Sequence, residues 1–295
     1  MSNLNPRQQD ALNHTQGPLL VLAGAGSGKT SVITQKIAHL IQNCQIPADR
    51  ITAMTFTNKA AREMKARVQK LLPSEKTRGL TVSTFHQFGL QFLRYELKNT
   101  ELKSNFSILD ADDCKRLLME LMVRDNMSGA ESRELVGKAI KMISDWKNDL
   151  VAPPDAAQTL EDPEDMMFAH LYGLYERHLR AYNAVDFDDL IVMPVHILRH
   201  NKEVRDKWQN RVRYLLVDEY QDTNTAQYEL IKLLVGVMAR FTVVGDDDQS
   251  IYTWRGAKPE NMALLKQDFP TLTVIKLEQN YRSTNRILSA ANAVI

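Results

Sequence analysis

The sequence predicts an α/β protein in which a parallel sheet is flanked by helices and carries an inserted all-helical subdomain. Three observations support this fold class. Short apolar runs alternate with amphipathic helical patterns up to about residue 86. Helical patterns alone then follow one another to about residue 200. The alternation of apolar runs and helices returns in the last third of the chain.

Composition limits the class of protein. The chain has 295 residues, of which 44% are hydrophobic and 25% are charged, as in ordinary soluble domains, and its length suggests about two domains. No apolar run approaches the ~18 residues of a membrane span, and the N-terminus does not resemble a signal peptide. Two cysteines, Cys44 and Cys114, fit a reducing, cytoplasmic compartment. A net charge of +1 means that any nucleic-acid site must be a local track.

The first element is a short helix over residues 4–12. Asn5 precedes Pro6, which is typical of an N-cap followed by the first helical position. By itself this pattern favours nothing more than a capped surface helix.

A phosphate-binding loop follows the first strand. The apolar run 19–22 leads into a glycine-rich loop and then a helix, a context in which backbone N–H groups converge on phosphate oxygens. Lys29 is predicted to reach the β- and γ-phosphates, and the Thr30 hydroxyl to bind Mg²⁺. The alternative is a glycine-rich surface turn. The loop residues are Ala23, Gly24, Ala25, Gly26, Ser27, Gly28, Lys29 and Thr30, with Ala23 in the place of the usual first glycine.

Two more strands are predicted before the helical stretch. Residues 51–56 form the first, after which Thr57 or Asn58 can cap a helix. Its basic positions favour an ordinary solvated face; they are Lys59, Arg62, Lys65, Arg67 and Lys70. The strand 80–85 ends at His86.

The helical stretch contains an acidic cluster of Asp186, Asp188 and Asp189. A metal site is possible, but the pattern favours Asp186 as a helix cap, with the other two stabilising the positive helix end. The predicted helices span 88–97, 112–124, 132–146, 164–182 and 188–199.

Two acids end the next buried strand. Residues 214–217 lead into Asp218 and Glu219, at the sheet edge where ligands bind in α/β proteins. Asp218 is predicted to hold Mg²⁺, and Glu219 to orient and deprotonate a water molecule. The alternative is a helix N-cap after a core strand.

The strand 241–244 ends in three more acids, which indicates a polar site. Beyond it lie Tyr252, Trp254 and Arg255, which are suited to stacking on unpaired bases and contacting phosphate, or else form an aromatic core pair. After a last strand at 273–277, a helical pattern reaches Ile295 without a cap, so we expect a truncated domain.

Five motifs in this order resemble a superfamily 1 DNA helicase of the Rep type, a bacterial ATP-dependent 3′→5′ helicase. They are AGAGSGKT, TFTNKAA, LLVDEYQDTN, VVGDDDQSIYTWRGA and LEQNYRS. The resemblance covers the whole chain and implies a P-loop NTPase with two RecA-like motor domains and ATP between them. It assigns 1–86 and 200–277 to the first motor domain, 87–199 to the inserted helical subdomain and 278–295 to the start of the second.

The resemblance also implies cofactors, partners and residue roles. ATP and Mg²⁺ are the cofactors; single-stranded DNA, 3′-tailed duplex or forked DNA, a second motor domain and replisome proteins are the partners, with no membrane and with a nucleoid-associated location. Gln8 would read the adenine edge, Gln249 sense the γ-phosphate, Tyr281 stack on adenine and Arg282 act as an arginine finger. The DNA path would be lined by Phe56, Thr57, Asn58, His86, Tyr252, Trp254 and Arg255.

The chain departs from the family pattern at one position, and three other functions remain as alternatives. Relatives often carry Arg after the Lys-Thr pair, where this chain has Ser31, so weaker nucleotide binding or base selectivity is expected. The alternatives are a motor subunit of a repair helicase–nuclease, a nucleotide- or DNA-binding module without turnover, and a kinase. The intact Lys29 and the acid pair argue against the binding module for the whole protein, and the aromatic cluster argues against the kinase. For this chain alone, binding without unwinding is expected.

Overall fold

The computed structural model describes residues 4–127, 133–158, 160, 162–246, 257–258, 260–284 and 286–287. The chain separates into two compact units. The sheet unit comprises Met1–Phe85, Asp206–Thr223 and Ile231–Ile295, and the helical unit comprises His86–Arg205 and Asn224–Leu230. Within the described ranges, no helix combines the length and the apolar character that crossing a membrane requires.

The strands predicted from apolar runs are all present. The structure adds two very short strands in the helical region, so the expectation of helices alone there was wrong; two-residue strands are too short to leave a periodic pattern. The strands are β1 Pro18–Ala23, β2 Ile51–Thr55, β3 Thr81–Thr84, β4 Ser107–Ile108, β5 Ala184–Val185, β6 Tyr214–Val217, β7 Phe241–Gly245 and β8 Thr273–Leu277.

Within the described ranges, the predicted helices are present with small shifts, and the structure adds helices that were not predicted. The helices are α1 Pro6–Asn13, α2 Lys29–Gln42, α3 Asn58–Leu71, α4 Phe85–Tyr95, α5 Ala111–Arg124, α6 Arg133–Asn148, α7 Pro153–Ala156, α8 Pro163–Ala181, α9 Asp189–His200, α10 Lys202–Arg211, α11 Thr225–Val235 and α12 Glu260–Asp268. The helices α7, α10, α11 and α12 were not predicted. The largest shift is in α4, predicted from residue 88. Phe85 is as buried as Phe88 and Phe92, so the helical spacing of apolar residues already starts there.

The sheet unit is built on a parallel sheet with the strand order β3-β2-β6-β7-β1-β8. All its neighbouring strands pair in parallel. Every residue of β6 and β7 is buried, as expected for strands covered by helices on both faces. The predicted parallel α/β fold is therefore confirmed, and all carboxyl ends of these strands lie at one edge of the sheet.

Helix α2 covers this sheet through one apolar face. Val32, Ile33, Ile37 and Leu40 are fully buried in the core beneath β1 and β6. Burial of a side chain of this size stabilises a fold by roughly 1.5–3 kcal/mol. The helix that begins at the phosphate-binding loop is thus fixed to the sheet along its length.

Helix α1 is held in place by a cap and by a buried lysine. Asn5 and Gln8 form a capping box, which confirms the predicted N-cap and the position of Pro6. Lys36 of α2 is fully buried, and its Nζ donates to the carbonyl oxygens of Ala11 at 2.6 Å and His14 at 2.5 Å. These carbonyls belong to the C-terminal end of α1, which a cation complements. Burial lowers the pKa of Lys36 to about 7.

The helical unit has its own core. Side chains of α5, α6 and α8 pack together around Leu118, Phe168 and Tyr172. β4 pairs in parallel with β5 at its margin. A cavity of about 690 Å³ also lies in this unit, and its described lining includes none of the predicted site residues.

The acidic cluster of the helical unit surrounds a buried cation. Lys147 Nζ lies 2.7 Å from carboxylate oxygens of both Glu176 and Asp186, and 2.9 Å from Asp189. Asp186 also accepts the Asp189 N–H at 2.9 Å, as predicted for a cap, but α9 begins after Asp188, which makes no side-chain cap. The expectation that the other acids only favour the helix end was wrong for Asp189. It was wrong because Lys147, forty-two positions earlier, is its partner.

Lys36 gives a prediction for stability. A lysine with a folded-state pKa near 7 and an unfolded value near 10.5 binds fewer protons when folded across this interval. The free energy of unfolding should therefore rise as the pH increases from 7 towards 10. Lys36→Met should lose this rise and should destabilise the chain by about 1–3 kcal/mol at pH 9.5, because two carbonyls lose their donor.

Urea unfolding at pH 7 and pH 9.5 measures both effects. Lys70→Met removes an exposed lysine of α3 and is the matched control. Equal pH slopes for the two variants would contradict the prediction.

Candidate nucleotide-binding site

Three adjacent strands bring Lys29, Asp218 and Glu219, three of the predicted catalytic residues, to one edge of the sheet. β7 lies between β6 and β1, and Val217 is in register with Val243, as Val21 is with Val244. The chain leaves β6 at Asp218, β7 at Asp246 and β1 at the glycine loop. In open α/β sheets this is the edge at which ligands bind.

The loop after β1 requires glycine at two positions. Gly26 and Gly28 have φ values of +77° and +88°, which residues with a side chain rarely adopt. A Cβ on Gly26 would lie 2.6 Å from Arg282 Cβ, and one on Gly28 would lie 2.9 Å from Gln8 Nε2. Gly28 is the N-cap of α2 and makes no side-chain cap, so the first turn of α2 presents its backbone donors to the loop.

Lys29 lies between two carboxylates at this loop. Its Nζ is 3.3 Å from Glu219 Oε2 and 4.0 Å from Asp246 Oδ2, and the side chain is only 10% exposed. Both acids come from strands adjacent in the sheet, so Lys29 is held at the junction of the loop with β6 and β7. Asp246 was predicted only as one of three acids in a polar site.

Asp218 and Glu219 differ in environment. Asp218 is buried, and its burial and the neighbouring Glu219 raise its pKa to about 6. Its Oδ1 accepts the Glu219 N–H at 3.0 Å. Glu219 has a left-handed backbone with φ +51°, a conformation that costs about 1–3 kcal/mol and is often found at functional sites. Its side chain is 42% exposed and faces the phosphate loop through Lys29.

A pocket of about 240 Å³ opens beside the loop. One lining residue, Arg67 of α3, was missed because its basic neighbours indicated a solvated face. Arg67 also lowers the pKa of Asp218 through its charge. In the sequence, Arg67 lies between Met64 and Val68, two buried residues of α3, and so does Lys65. The position alone therefore did not distinguish Arg67 from Lys65. The lining residues are Ala25, Gly26, Gly28, Lys29, Thr30, Ser31, Arg67, Glu219 and Arg282.

The N-terminal helix and residue Tyr281 meet at this loop. Gln8 is buried, and its Nε2 donates to the Ser27 carbonyl at 3.0 Å. Asn5 Nδ2 donates to the Tyr281 hydroxyl at 2.8 Å, and the Tyr281 N–H donates to Gly26 O at 2.9 Å. The interpretation of α1 as only a capped surface helix was therefore wrong, because Gln8 contacts the loop. The ring of Tyr281 stays 55% exposed.

Asn280 was also missed. Its Nδ2 donates to Ala25 O at 2.5 Å, and its Oδ1 accepts the N–H groups of Arg282 and Ser283, each at 2.8 Å. This side chain therefore holds the turn that carries Arg282 against the phosphate loop. An Asn side chain in a loop often accepts the backbone N–H two residues further on, which is an Asx turn. This tendency was the sequence signal that could have identified Asn280.

The predicted DNA residues are distributed over both units. In the sheet unit, the rings of Phe56 and Phe85 are 5.4 Å apart, Thr57 caps α3 by accepting the Ala60 N–H, and Asn58 is exposed. Other predicted residues lie outside the described part of the chain; they are Gln249, Tyr252, Trp254 and Arg255.

In the helical unit, His86 lies beside an exposed aromatic side chain. Its ring is 6.1 Å from that of Phe187 in an edge contact, and Phe187 is 52% exposed. Burial lowers the pKa of His86, so its ring is neutral at pH 7 and suited to stacking rather than to binding phosphate as a cation. Phe187 was missed, since it stands alone between aspartates.

The comparisons with known proteins agree with these motifs. A family model described as the UvrD/REP helicase N-terminal domain matches residues 4–270. The chain is 58% identical over 295 residues to proteins named ATP-dependent DNA helicase Rep from Salmonella typhimurium and Escherichia coli K12, covering 99% of this chain and 43% of theirs. It is 43% identical to ATP-dependent DNA helicase PcrA of Staphylococcus aureus, covering 100% of this chain and 40% of that protein.

The chain therefore spans less than half the length of these relatives. Its phosphate-binding loop, its acid pair and the strands β1, β2, β3, β6 and β7 stand in the region that the family model matches. The chain belongs to the UvrD/REP helicase family and carries its N-terminal domain.

Proposed function

We propose that the whole protein is an ATP-dependent DNA helicase that moves 3′→5′ on single-stranded DNA, and that this chain supplies the ATP-binding half of its motor. The observation that carries the proposal is the convergence of Lys29, Asp218 and Glu219 on a loop that excludes a side chain at Gly26 and Gly28. The relatives named ATP-dependent DNA helicases support it over the whole chain.

The described residues fit ATP and Mg²⁺. The loop and the first turn of α2 offer backbone donors, Lys29 offers a cation, and Asp218 offers a buried carboxylate. Mg²⁺ usually takes one or two carboxylates together with phosphate oxygens, which Asp218 and a bound nucleotide would supply. Bound Mg²⁺ would neutralise charge on the phosphates, held by Asp218 and the Thr30 hydroxyl.

The roles of the remaining site residues are inferred from where each side chain lies. Glu219, partly exposed at the pocket, is the general base that orients the attacking water. Arg282 lines the same pocket and would stabilise charge on the transferring phosphate. Tyr281 offers an exposed ring for adenine, and Gln8 a polar edge next to Ser27. Ser31 lines the pocket with a short hydroxyl side chain, where an arginine would reach further.

Residues 1–86 and 200–277 would form the first motor domain, 87–199 its helical insertion and 278–295 the start of a second motor domain. The DNA substrates would be single strands with 3′-tailed or forked duplexes, bound at the nucleoid in the cytoplasm, with replisome proteins as further partners. Stacking on the residues around Phe56 and His86 would couple ATP hydrolysis to movement.

A second, narrower proposal concerns the chain alone, which we expect to bind Mg·ATP while hydrolysing it slowly. The pocket of about 240 Å³ is smaller than the roughly 300–1,000 Å³ of typical ligand pockets, as expected for half of a cleft.

The first test is nucleotide binding and steady-state ATP hydrolysis with and without single-stranded DNA. We expect Mg·ATP binding that Lys29→Ala weakens by at least about tenfold, because a phosphate contact with a buried lysine is lost. Turnover by the chain alone should be slow. Equal binding by the variant would contradict the nucleotide site, and unwinding of a 3′-tailed duplex by this chain alone would contradict the half-site proposal.

Arg67 should contribute to nucleotide affinity. Arg67→Ala should weaken Mg·ATP binding by about 5–30-fold, as expected for a lost charge-assisted hydrogen bond to phosphate of about 1–2 kcal/mol. Arg62→Ala is the matched control, since Arg62 is an exposed arginine of the same helix that does not line the pocket. Titration with a fluorescent ATP analogue measures both, and equal effects would show that Arg67 acts only through general charge.

Phe187 should contribute to DNA affinity. Because one base stacked on an aromatic ring is worth about 1–3 kcal/mol, Phe187→Ala should weaken binding of a labelled oligo-dT by about fivefold or more. Tyr182→Ala is the control, because Tyr182 is also an exposed aromatic residue of the helical unit with a histidine, His178, edge-on at 6.1 Å. Fluorescence anisotropy measures the difference, and identical affinities of the two variants would exclude a DNA contact specific to Phe187.

A further inference from the structure

Gln221 lies at the point where β6 and β7 leave the sheet. It follows Glu219 by two residues in the single 3₁₀ turn Tyr220–Asp222, and its side chain is 3% exposed. A buried amide must place both its donor and its acceptor, because unsatisfied amide groups are costly away from water. The partners of Gln221 therefore show what its side chain holds in place.

The donor end of Gln221 holds the carboxylate of Glu219. Its Nε2 lies 2.8 Å from Glu219 Oε2, the same oxygen that is 3.3 Å from Lys29 Nζ. No described residue donates to the other oxygen, Oε1. One oxygen of Glu219, Oε2, is thus fixed from two sides.

The acceptor end of Gln221 holds the end of β7. Its Oε1 accepts the Asp246 N–H at 3.0 Å. The approach depends on Gly245, since a Cβ there would lie 2.9 Å from Gln221 Oε1 and 3.3 Å from its backbone nitrogen. The residue after Gly245 in turn places its carboxylate 4.0 Å from Lys29.

These contacts form a closed ring of Lys29, Glu219, Gln221 and Asp246. Glu219 stands in a left-handed backbone conformation that its side chain does not favour, so its orientation must be imposed by neighbours. The amide donates to the carboxylate and accepts the backbone N–H at once; alanine does neither, and an ionised glutamate cannot donate.

We propose that Gln221 is a positioning residue for ATP hydrolysis, which fixes the Glu219 carboxylate and ties its orientation to the end of β7. The proposal rests on the proposed ATPase function of this site. Through this amide the orientation of Glu219 depends on the position of the Asp246 backbone at the end of β7.

The test compares Gln221→Ala and Gln221→Glu with the unchanged chain in single-turnover hydrolysis and in equilibrium binding of a fluorescent ATP analogue with Mg²⁺. Gln221→Ala should keep its affinity within about threefold and hydrolyse at least about tenfold more slowly, because a misplaced general base loses part of its 10²–10⁴-fold contribution. Gln221→Glu should be as slow at pH 8, because an ionised glutamate cannot donate to the Glu219 carboxylate. Gln227→Ala, which removes another buried glutamine that bonds a backbone N–H, is the matched control.

A second measurement does not depend on turnover. In a double-mutant cycle of unfolding, Gln221→Ala should change the unfolding equilibrium at least about threefold less in a Glu219→Ala background than alone, because the hydrogen bond between them is already absent.

The outcomes separate this proposal from the proposed function. Wild-type hydrolysis by Gln221→Ala, or additive effects in the cycle, would overturn the positioning role while leaving the ATP site intact. Failure of the unchanged chain to bind Mg·ATP, or binding that Lys29→Ala does not weaken, would overturn the proposed function instead.

Discussion

The parallel pairing of β6, β7 and β1 is the constraint on which the site depends. Because these strands are adjacent and point the same way, the acid pair, Asp246 and the glycine loop leave the sheet together. Neighbouring strands lie about 4.8 Å apart, so side chains at their ends come within hydrogen-bonding reach without any long loop. A reversed β7 would separate Asp246 from Lys29, and it would separate the Asp246 N–H from Gln221 Oε1, which accepts it.

This arrangement concentrates charge and strain where the chemistry would occur. Lys29 offsets the carboxylates of Glu219 and Asp246, while burial keeps the pKa of Asp218 high, near 6, so that its charge is lost as the pH falls through that value. The left-handed backbone at Glu219 persists because its two neighbours in the chain, Asp218 and Tyr220, are both buried and fix the backbone on either side. Glycine at position 26 allows the Arg282 segment to lie directly on the loop.

The helical unit is held together by a buried ionic cluster as well as by an apolar core. Its core is apolar, but one wall carries Lys147 with three carboxylates, and Tyr175 donates to Asp186 at 3.0 Å. Removing one partner from such a buried cluster would leave an uncompensated charge, which costs about 3–5 kcal/mol. The cluster joins α6 to α8 and α9, and Lys147 is the ionic partner of Asp186 and Asp189.

The sequence by itself determined the strands of the main sheet, most of the longer helices before residue 200 and the chemistry of the motifs. These features depend on residues that are close together in the chain, so they can be predicted from the residue order. They are the apolar runs, the helical spacing, the Asn5 cap and the AGAGSGKT loop. Only the tertiary structure decided the strand order, the place of Arg67 in the pocket, the burial of Gln8 and the partner of Asp189. Those contacts join residues tens to hundreds of positions apart. Their formation depends on which faces pack together, and a single sequence carries no periodic signal for that.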